Sequence, residues 1–264
     1  MSEDFLSRIL ASKREEVEAA KSRVSVEEMK DRAFDRPAAL SLAQVLRWFH
    51  IRVIAEIKRS SPSKGPLRPD LDSASLAWSY YENGASAISV ITESSHFGGS
   101  LDDLVAAKKG LRGKIIPLLR KDFIIDPYQV YESRAYGADA ILLIVAALDT
   151  ERLAELLNLG YDLGMRSLVE IHNEEDAEKA VAVRAGIVGI NNRDLKTFKV
   201  DINTTTRLRP LIPPDKIVVS ESGIRTREDL QNLWSLKVNA ALIGESLVRA
   251  ADPGAALKEL TCPE

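Results

Sequence analysis

The sequence predicts an α/β fold: a (β/α)8 TIM barrel with an N-terminal helical extension. Three observations carry that expectation. From Val53 onward, short apolar segments alternate eight times with amphipathic ones. The short segments are rich in Ile, Val, Leu and Ala on both faces, as strands of a parallel sheet covered by helices are. The length of 264 residues suits one barrel of roughly 250. The expected organisation is therefore one domain over residues 1–264, with residues 1–49 as the extension. The rival is an open, doubly wound sheet. That fold needs a glycine-rich phosphate turn after its first strand, and Ser61-Pro62-Ser63-Lys64-Gly65 is not such a turn.

In order along the chain, residues 1–23 read as an amphipathic helix. Phe5, Leu6, Ile9, Leu10 and Val17 recur at helical spacing between charged residues. A second helical stretch, 40–49, follows the break at Arg36-Pro37. Neither piece can bury a core alone, so their apolar faces are expected to close part of the barrel beside the active-site mouth. Strands are expected at 53–58, 86–91, 114–120, 138–145, 166–171, 186–191, 216–221 and 239–244. Helices between them include 70–83, 101–109, 127–136, 149–163 and 173–184. Asp70, Asp126, Asp149 and Asn173 are the expected helix N-caps. The stretches 83–85, 136–139 and 184–186 each carry a glycine and are expected to end helices.

Composition excludes several function classes. The apolar fraction of 45% and charged fraction of 28% are those of an ordinary soluble globular domain. A net charge of −3 offers nucleic acid no electrostatic footprint. No apolar run reaches the roughly 18 residues of a membrane span, and the first six residues lack the pattern of a secretory signal. A single cysteine, Cys262, rules out a disulfide framework within the chain and points to a reducing compartment. His50, His96 and His172 show no metal-ligand spacing and are read as loop or surface residues, so no metal site is expected.

The functional signal is charge at the strand ends. Glu56 and Lys58 lie two residues apart and so share one side of the first strand. Burying such charges costs several kcal/mol unless they are paired or hydrogen-bonded. The third strand ends in Lys121, the fifth in Glu170, the sixth in Asn191-Asn192-Arg193 and the seventh in Glu221. Alternate strands feed one interior layer of a barrel. Strands one, three, five and seven are thus expected to place Lys58, Lys121, Glu170 and Glu221 in one nearly neutral layer with coupled proton affinities. Beyond strands seven and eight, Ser222, Gly223, Gly244 and Ser246 suit phosphate binding by backbone N–H groups at two helix starts.

Several of these segments resemble indole-3-glycerol phosphate synthases of the monofunctional form. They are Ala55 to Gly65, Thr92-Glu93, Phe97-Gly98-Gly99-Ser100, Leu119 to Phe123, Leu168 to His172, Gly189 to Asp194, Ser220 to Gly223 and Ile243 to Ser246. The likeness runs from Ile9, Leu10 and Lys13 to about residue 260, with Glu93 where many relatives carry Asp. It implies a step of tryptophan biosynthesis: 1-(2-carboxyphenylamino)-1-deoxyribulose 5-phosphate closes its ring, losing CO2 and water. It implies no cofactor, and a small phosphosugar substrate. Neither nucleic acid nor membrane is expected as a partner, and a cytoplasmic monomer is. By the resemblance, Lys121 is the acid that protonates the substrate ketone. Arg193, with Ser61 and Asn191, holds the substrate carboxylate. Glu170 and Glu56 are candidate acid and base for dehydration, and Lys58 is a further acid and phosphate contact. Glu221 orients a lysine or binds a substrate hydroxyl. Phe97, Phe123 and Leu142 wall the anthranilate ring. Another phosphosugar barrel, such as a phosphoribosylanthranilate isomerase, would share the phosphate loops without needing Glu56, Lys58, Lys121 and Glu170 together. A non-catalytic barrel would be expected to lose its strand-end charges first.

Overall fold

The computed structural model describes residues 5–47 and 49–261. Cys262 and the first four residues lie outside the described residues. Eight parallel strands close on themselves: β1 (Arg52–Ile57), β2 (Ala87–Ile91), β3 (Leu118–Lys121), β4 (Ala140–Ile144), β5 (Arg166–Ile171), β6 (Ile187–Asn191), β7 (Ile217–Glu221) and β8 (Ala240–Ile243). β8 pairs with β1 from Arg52↔Ala240 to Ala55↔Ile243, which seals the barrel. The expected strands are all present. Only β3 begins four residues late, because Pro117 has no N–H to give the ladder and Ile115 stands exposed before it.

The helices are α1 (Phe5–Arg23), α2 (Val26–Phe34), α3 (Leu42–Leu46), α4 (Ser73–Glu82), α5 (Leu101–Gly110), α6 (Pro127–Ala135), α7 (Thr150–Asp162), α8 (Glu174–Ala182), α9 (Asn203–Leu208), α10 (Arg227–Ser235), α11 (Glu245–Val248) and α12 (Pro253–Thr261). Asp126, Asp149 and Asn173 cap α6, α7 and α8 as expected. α4 is capped by Asp72 rather than Asp70: its carboxylate accepts from the N–H groups of Ala74 and Ser75. Gly84 and Gly137 take the left-handed positions (φ +92° and +93°) that end α4 and α6. After α8 that position falls to Arg184 (φ +58°), not to Gly186.

Strand alternation sorts the apolar residues into two cores. Val53, Ala55, Ile57, Val90, Leu118, Ile141, Val169 and Val188 face the helices. Ile54, Ala87, Leu119, Ala140, Leu142, Leu168, Ile217 and Leu242 fill the barrel interior.

The extension spans both ends of this interior. At the C-terminal end of the strands, Ile9 of α1 is buried, and Lys13 pairs with Asp122 just past β3 at 3.0 Å. α2, which the sequence pattern did not reveal, buries Met29 against Val17 and Tyr128. α3 then inserts Leu42 and Leu46 among Ile54, Ile187 and Ile217 near the strand starts. The expectation that the whole extension sits beside the mouth is therefore corrected: α1 does, and α3 plugs the opposite end. Leu42 and Leu46 lie one helical turn apart, so a single short face suffices for a plug. Deleting residues 1–23 should lower the melting temperature, through loss of the Ile9 burial and the Lys13–Asp122 pair. It should also raise KM, because Phe5 lines the cavity at the mouth. A truncated protein with both quantities unchanged would make α1 a passive tail.

Among the described residues, no helix is long and apolar enough to cross a membrane.

Candidate active site

A cavity of about 510 Å³ opens at the C-terminal end of the strands. Its wall contains Glu56, Lys58, Lys121, Glu170, Asn191 and Glu221, together with Ser61, Arg193, Ser222, Gly223, Gly244, Ser246, Phe97, Phe123 and Leu142. The structure thus brings all fifteen sequence-derived site residues to one place. The layer they form differs from the expected one. The register pairs Glu170 with Gly189 and Gly189 with Val219, and a layer climbs about one residue per strand in a barrel of shear 8. By that step Glu56, Lys121, Glu170 and Glu221 lie at one height, and Lys58 stands two residues above Glu56, nearer the mouth. The floor is therefore three carboxylates around one lysine, not two of each.

The contacts agree. Lys121 Nζ is 3.2 Å from Glu170 Oε2 and 3.3 Å from Glu221 Oε2. Lys58 Nζ is 3.7 Å from Glu56 Oε1. Burial alone would strip the proton from Lys121, but Glu170, Glu221 and Glu56 outweigh it and raise its proton affinity. Burial also opposes charge on Glu170, yet Lys121, His172 and Asn191 hold its carboxyl well below the usual carboxylate range. Glu221 is left without enough positive charge. Burial, helped by Glu170 and Glu56 and resisted by Lys121, pushes it up to about 8. Its proton affinity is thus well above that of an ordinary carboxyl, and neither of its oxygens has a hydrogen-bond partner among the described residues. Burial, with Lys121 and Arg193, pushes Lys58 down against Glu56 and Glu245.

His172, expected as a loop or surface residue, stands directly behind Glu170 of the site. Its Nε2 is 3.2 Å from Glu170 Oε1, and its Nδ1 is 3.6 Å from Asp176 Oδ2. Burial works against its charge, but those two carboxylates raise it to about 9. The signal was available: Glu170 and His172 are two residues apart, so they share a side of the extended chain. Arg120 and Asp122, by contrast, are strand-end charges with a structural role. Arg120 reaches Glu132 at 2.9 Å and Asp122 at 3.0 Å, while Asp122 also binds Thr92 and Lys13. This ties α1, β2, β3 and α6 together behind Lys121.

Above the floor, Asn191 Oδ1 accepts from Ser222 Oγ (2.9 Å) and from the Arg193 N–H (3.0 Å). Arg193 Nη1 donates to the Phe198 carbonyl (3.1 Å), and Nη2 faces Glu245 Oε2 (3.4 Å). Ser61 Oγ is buried in the wall with no hydrogen-bond partner among the described residues, a donor ready for a ligand. Ile91, Ile144, Leu195 and Phe198 extend the apolar wall formed by Phe97, Phe123 and Leu142.

The phosphate loops are only half as expected. Ser222 and Gly223 take consecutive left-handed conformations (φ +67° and +86°), turning the chain back at the cavity edge. The following helix, α10, begins only at Arg227 and closes its own N-terminus with a Thr226/Asp229 capping box. Only the turn after β8 starts a helix at the site: Gly244 precedes α11 with no side-chain cap. Gly244 serves a second purpose as well. A Cβ there would lie 2.5 Å from Glu56 Oε1 and 3.0 Å from Glu56 Cβ.

A TIM barrel with buried acids, protonated lysine and aromatic walls at the C-terminal end of its strands is an enzyme built for proton transfer on an organic substrate. The family model for indole-3-glycerol phosphate synthase matches residues 6–260. A relative of that name from Dehalococcoides mccartyi is 52% identical over 257 residues, covering 97% of this chain and 99% of the relative. Another from Roseiflexus castenholzii is 47% identical, covering 97% of each. Among solved structures, 3-hexulose-6-phosphate synthase from Salmonella typhimurium superposes with a TM-score of 0.64 at 10% identity, over 80% of this chain and 97% of that one. That likeness is one of fold. The chain belongs to the indole-3-glycerol phosphate synthase family, decarboxylating lyases of tryptophan biosynthesis.

Proposed function

We propose that the cavity closes the indole ring of 1-(2-carboxyphenylamino)-1-deoxyribulose 5-phosphate in the cytoplasm, by the following division of labour. The anthranilate ring packs among Phe97, Phe123 and Leu142. The Arg193 guanidinium, with Ser61 and Asn191 beside it, takes the ring carboxylate, which displaces Glu245 as the partner of the arginine. The ring carbon bearing that carboxylate attacks the ketone carbon, and Lys121 gives its proton to the ketone oxygen. The carboxylate then leaves as CO2 and its bonding electrons return to the ring. The new hydroxyl departs as water, protonated by Lys58, whose lowered proton affinity makes it a readier donor. A carboxylate, Glu170 or Glu56, takes the last proton. Glu221, whose proton affinity burial raises, binds a substrate hydroxyl. The observation that supports this reading most is the group of buried acids, Glu170, Glu221 and Glu56, around Lys121 in a cavity with apolar walls. The direct test is turnover of the carboxyphenylamino substrate, followed by the fluorescence of the indole product. A folded protein without turnover would end this reading.

The substrate phosphate lies against Ser222, Gly223 and Ser246, with Lys58 as its full positive charge. Gly244→Val is a poor probe of this site, because its side chain would strike Glu56. Gly223→Val is better placed: it strains a left-handed position in the loop itself. It should raise KM far more than it lowers kcat. Inorganic phosphate should compete with substrate in the wild type and inhibit the variant weakly. Equal inhibition of both folded proteins would put the phosphate elsewhere.

A further inference from the structure

Three of the four side chains in the charged layer are carboxylates, and each needs room as well as counter-charge. The odd strands supply the long side chains. Gly189 of β6, one step below the layer, and Gly244 after β8, one step above it, are neighbouring inward positions without a side chain. Gly189 is the informative one. It lies inside a strand, fully buried, and its backbone is not in the left-handed region that would call for glycine. A glycine inside a strand marks a close approach by another group. Here that group is known: a Cβ on Gly189 would collide with Glu221 Oε1, with Leu168 Cδ1 next at 3.2 Å.

We propose that Gly189 is a positioning residue for the reaction: its missing side chain is the slot that holds the Glu221 carboxyl inside the barrel, against Lys121. Filling the slot drives the carboxyl toward the mouth. Lys121 then loses one of the two carboxyl groups that lie within 3.3 Å of its Nζ, and Glu221 gains water. The groups facing the Glu221 carboxyl are Lys121 from β3, Glu170 from β5 and Glu56 from β1. None of the three is among the nearest atoms that a Cβ on Gly189 would meet, so the first group displaced is the Glu221 carboxyl. The proposal rests on Glu221 working in the cavity, but the slot itself can be judged without any turnover.

The test is a double-mutant cycle in the full chain, combining Gly189→Ala with Glu221→Ala and with Glu221→Asp. Melting temperature is read first. Gly189→Ala should lower it when Glu221 is present, and should cost little when Glu221→Ala has vacated the slot. Should Gly189→Ala fail to fold alone, folding of the Gly189→Ala/Glu221→Ala double variant supports the slot. An equal loss in both backgrounds, or two unfolded proteins, overturns it, because the methyl then meets something other than Glu221. Kinetics are read second. Gly189→Ala should lower kcat by about 10²-fold, the scale of a misplacement of about 1 Å, and should shift the alkaline limb of the kcat profile. Glu221→Asp draws the carboxyl back by one methylene. It should therefore cost less activity in the Gly189→Ala background than in the wild type. Independent, multiplicative losses would overturn the positioning role even if the melting temperatures couple. A wild type without turnover would sink the functional reading and leave the melting-temperature cycle to decide the slot.

Discussion

Lys121→Ala is expected to lower kcat on the order of 10²- to 10⁴-fold, the usual contribution of a positioned general acid. Each tenfold is worth about 1.4 kcal/mol of transition-state stabilisation. The structure adds a second reason for a large effect. Among the described residues, Lys121 is the only cation at the height of Glu56, Glu170 and Glu221, and its removal leaves three buried carboxyls sharing one small volume. They must then take up protons, so the variant loses its acid and its charge pattern together. Binding of a product analogue should change much less, because Arg193, Ser61 and the phosphate loops are untouched. A variant keeping more than about a third of wild-type kcat would remove Lys121 from the mechanism.

Glu170→Gln is the second large effect. The substitution keeps the shape and removes the charge that both Lys121 and His172 face. A drop in kcat should be accompanied by a fall in the His172 proton affinity from about 9 toward its ordinary 6.5, visible in an NMR titration of the imidazole. Glu221→Gln is the matched control. Burial raises the Glu221 carboxyl to about 8, so glutamine imitates the protonated form that the site favours. The variant should be the milder of the two at pH 7 and should lose the alkaline limb near pH 8. Its effect on stability has a fixed sign. A carboxyl raised from 4.5 to about 8 contributes stability that is complete below 4.5 and is lost as pH rises through about 8. A Glu221→Gln protein more impaired than Glu170→Gln at pH 7 would reverse the two roles.

The barrel was legible because its signal repeats. Eight apolar segments, three of the four expected N-caps and two glycine-ended helices all pointed one way, and the β3 boundary slipped only where Pro117 interrupts pairing. The site residues were legible as a set for a similar reason: charges in apolar strands stand out. Their heights were not. Alternation along one strand tells which side chains point inward, but shear around the barrel decides which inward residues meet. The sequence therefore suggested Lys58 where Glu56 stands in the layer. α2 was missed because only Met29 and Ala33 face inward on nine residues. The end of the barrel that α3 plugs was hidden because its partners, Ile187 and Ile217, lie far along the chain. Gly189 did carry a readable mark, a glycine within an apolar strand, but nothing in the sequence says which distant side chain fills the gap.

The extension has a consequence for the order in which the chain assembles. Its anchoring bonds are long in sequence: Leu40 N–H to Asp139 spans 99 residues, Lys21 to Asp126 spans 105, and Arg47 to the Asp215 carbonyl spans 168. The first fifty residues leave the ribosome early, yet the surfaces they cover do not exist until β3 to β7 have been made. Contacts of such separation form slowly, since the intervening chain must first be ordered. Leu42 and Leu46 have Ile54 close by in the chain, but their other partners, Ile187 and Ile217, are made late. In the folded protein the extension is a clasp, joining the first residues of the chain to both ends of a barrel built from later ones.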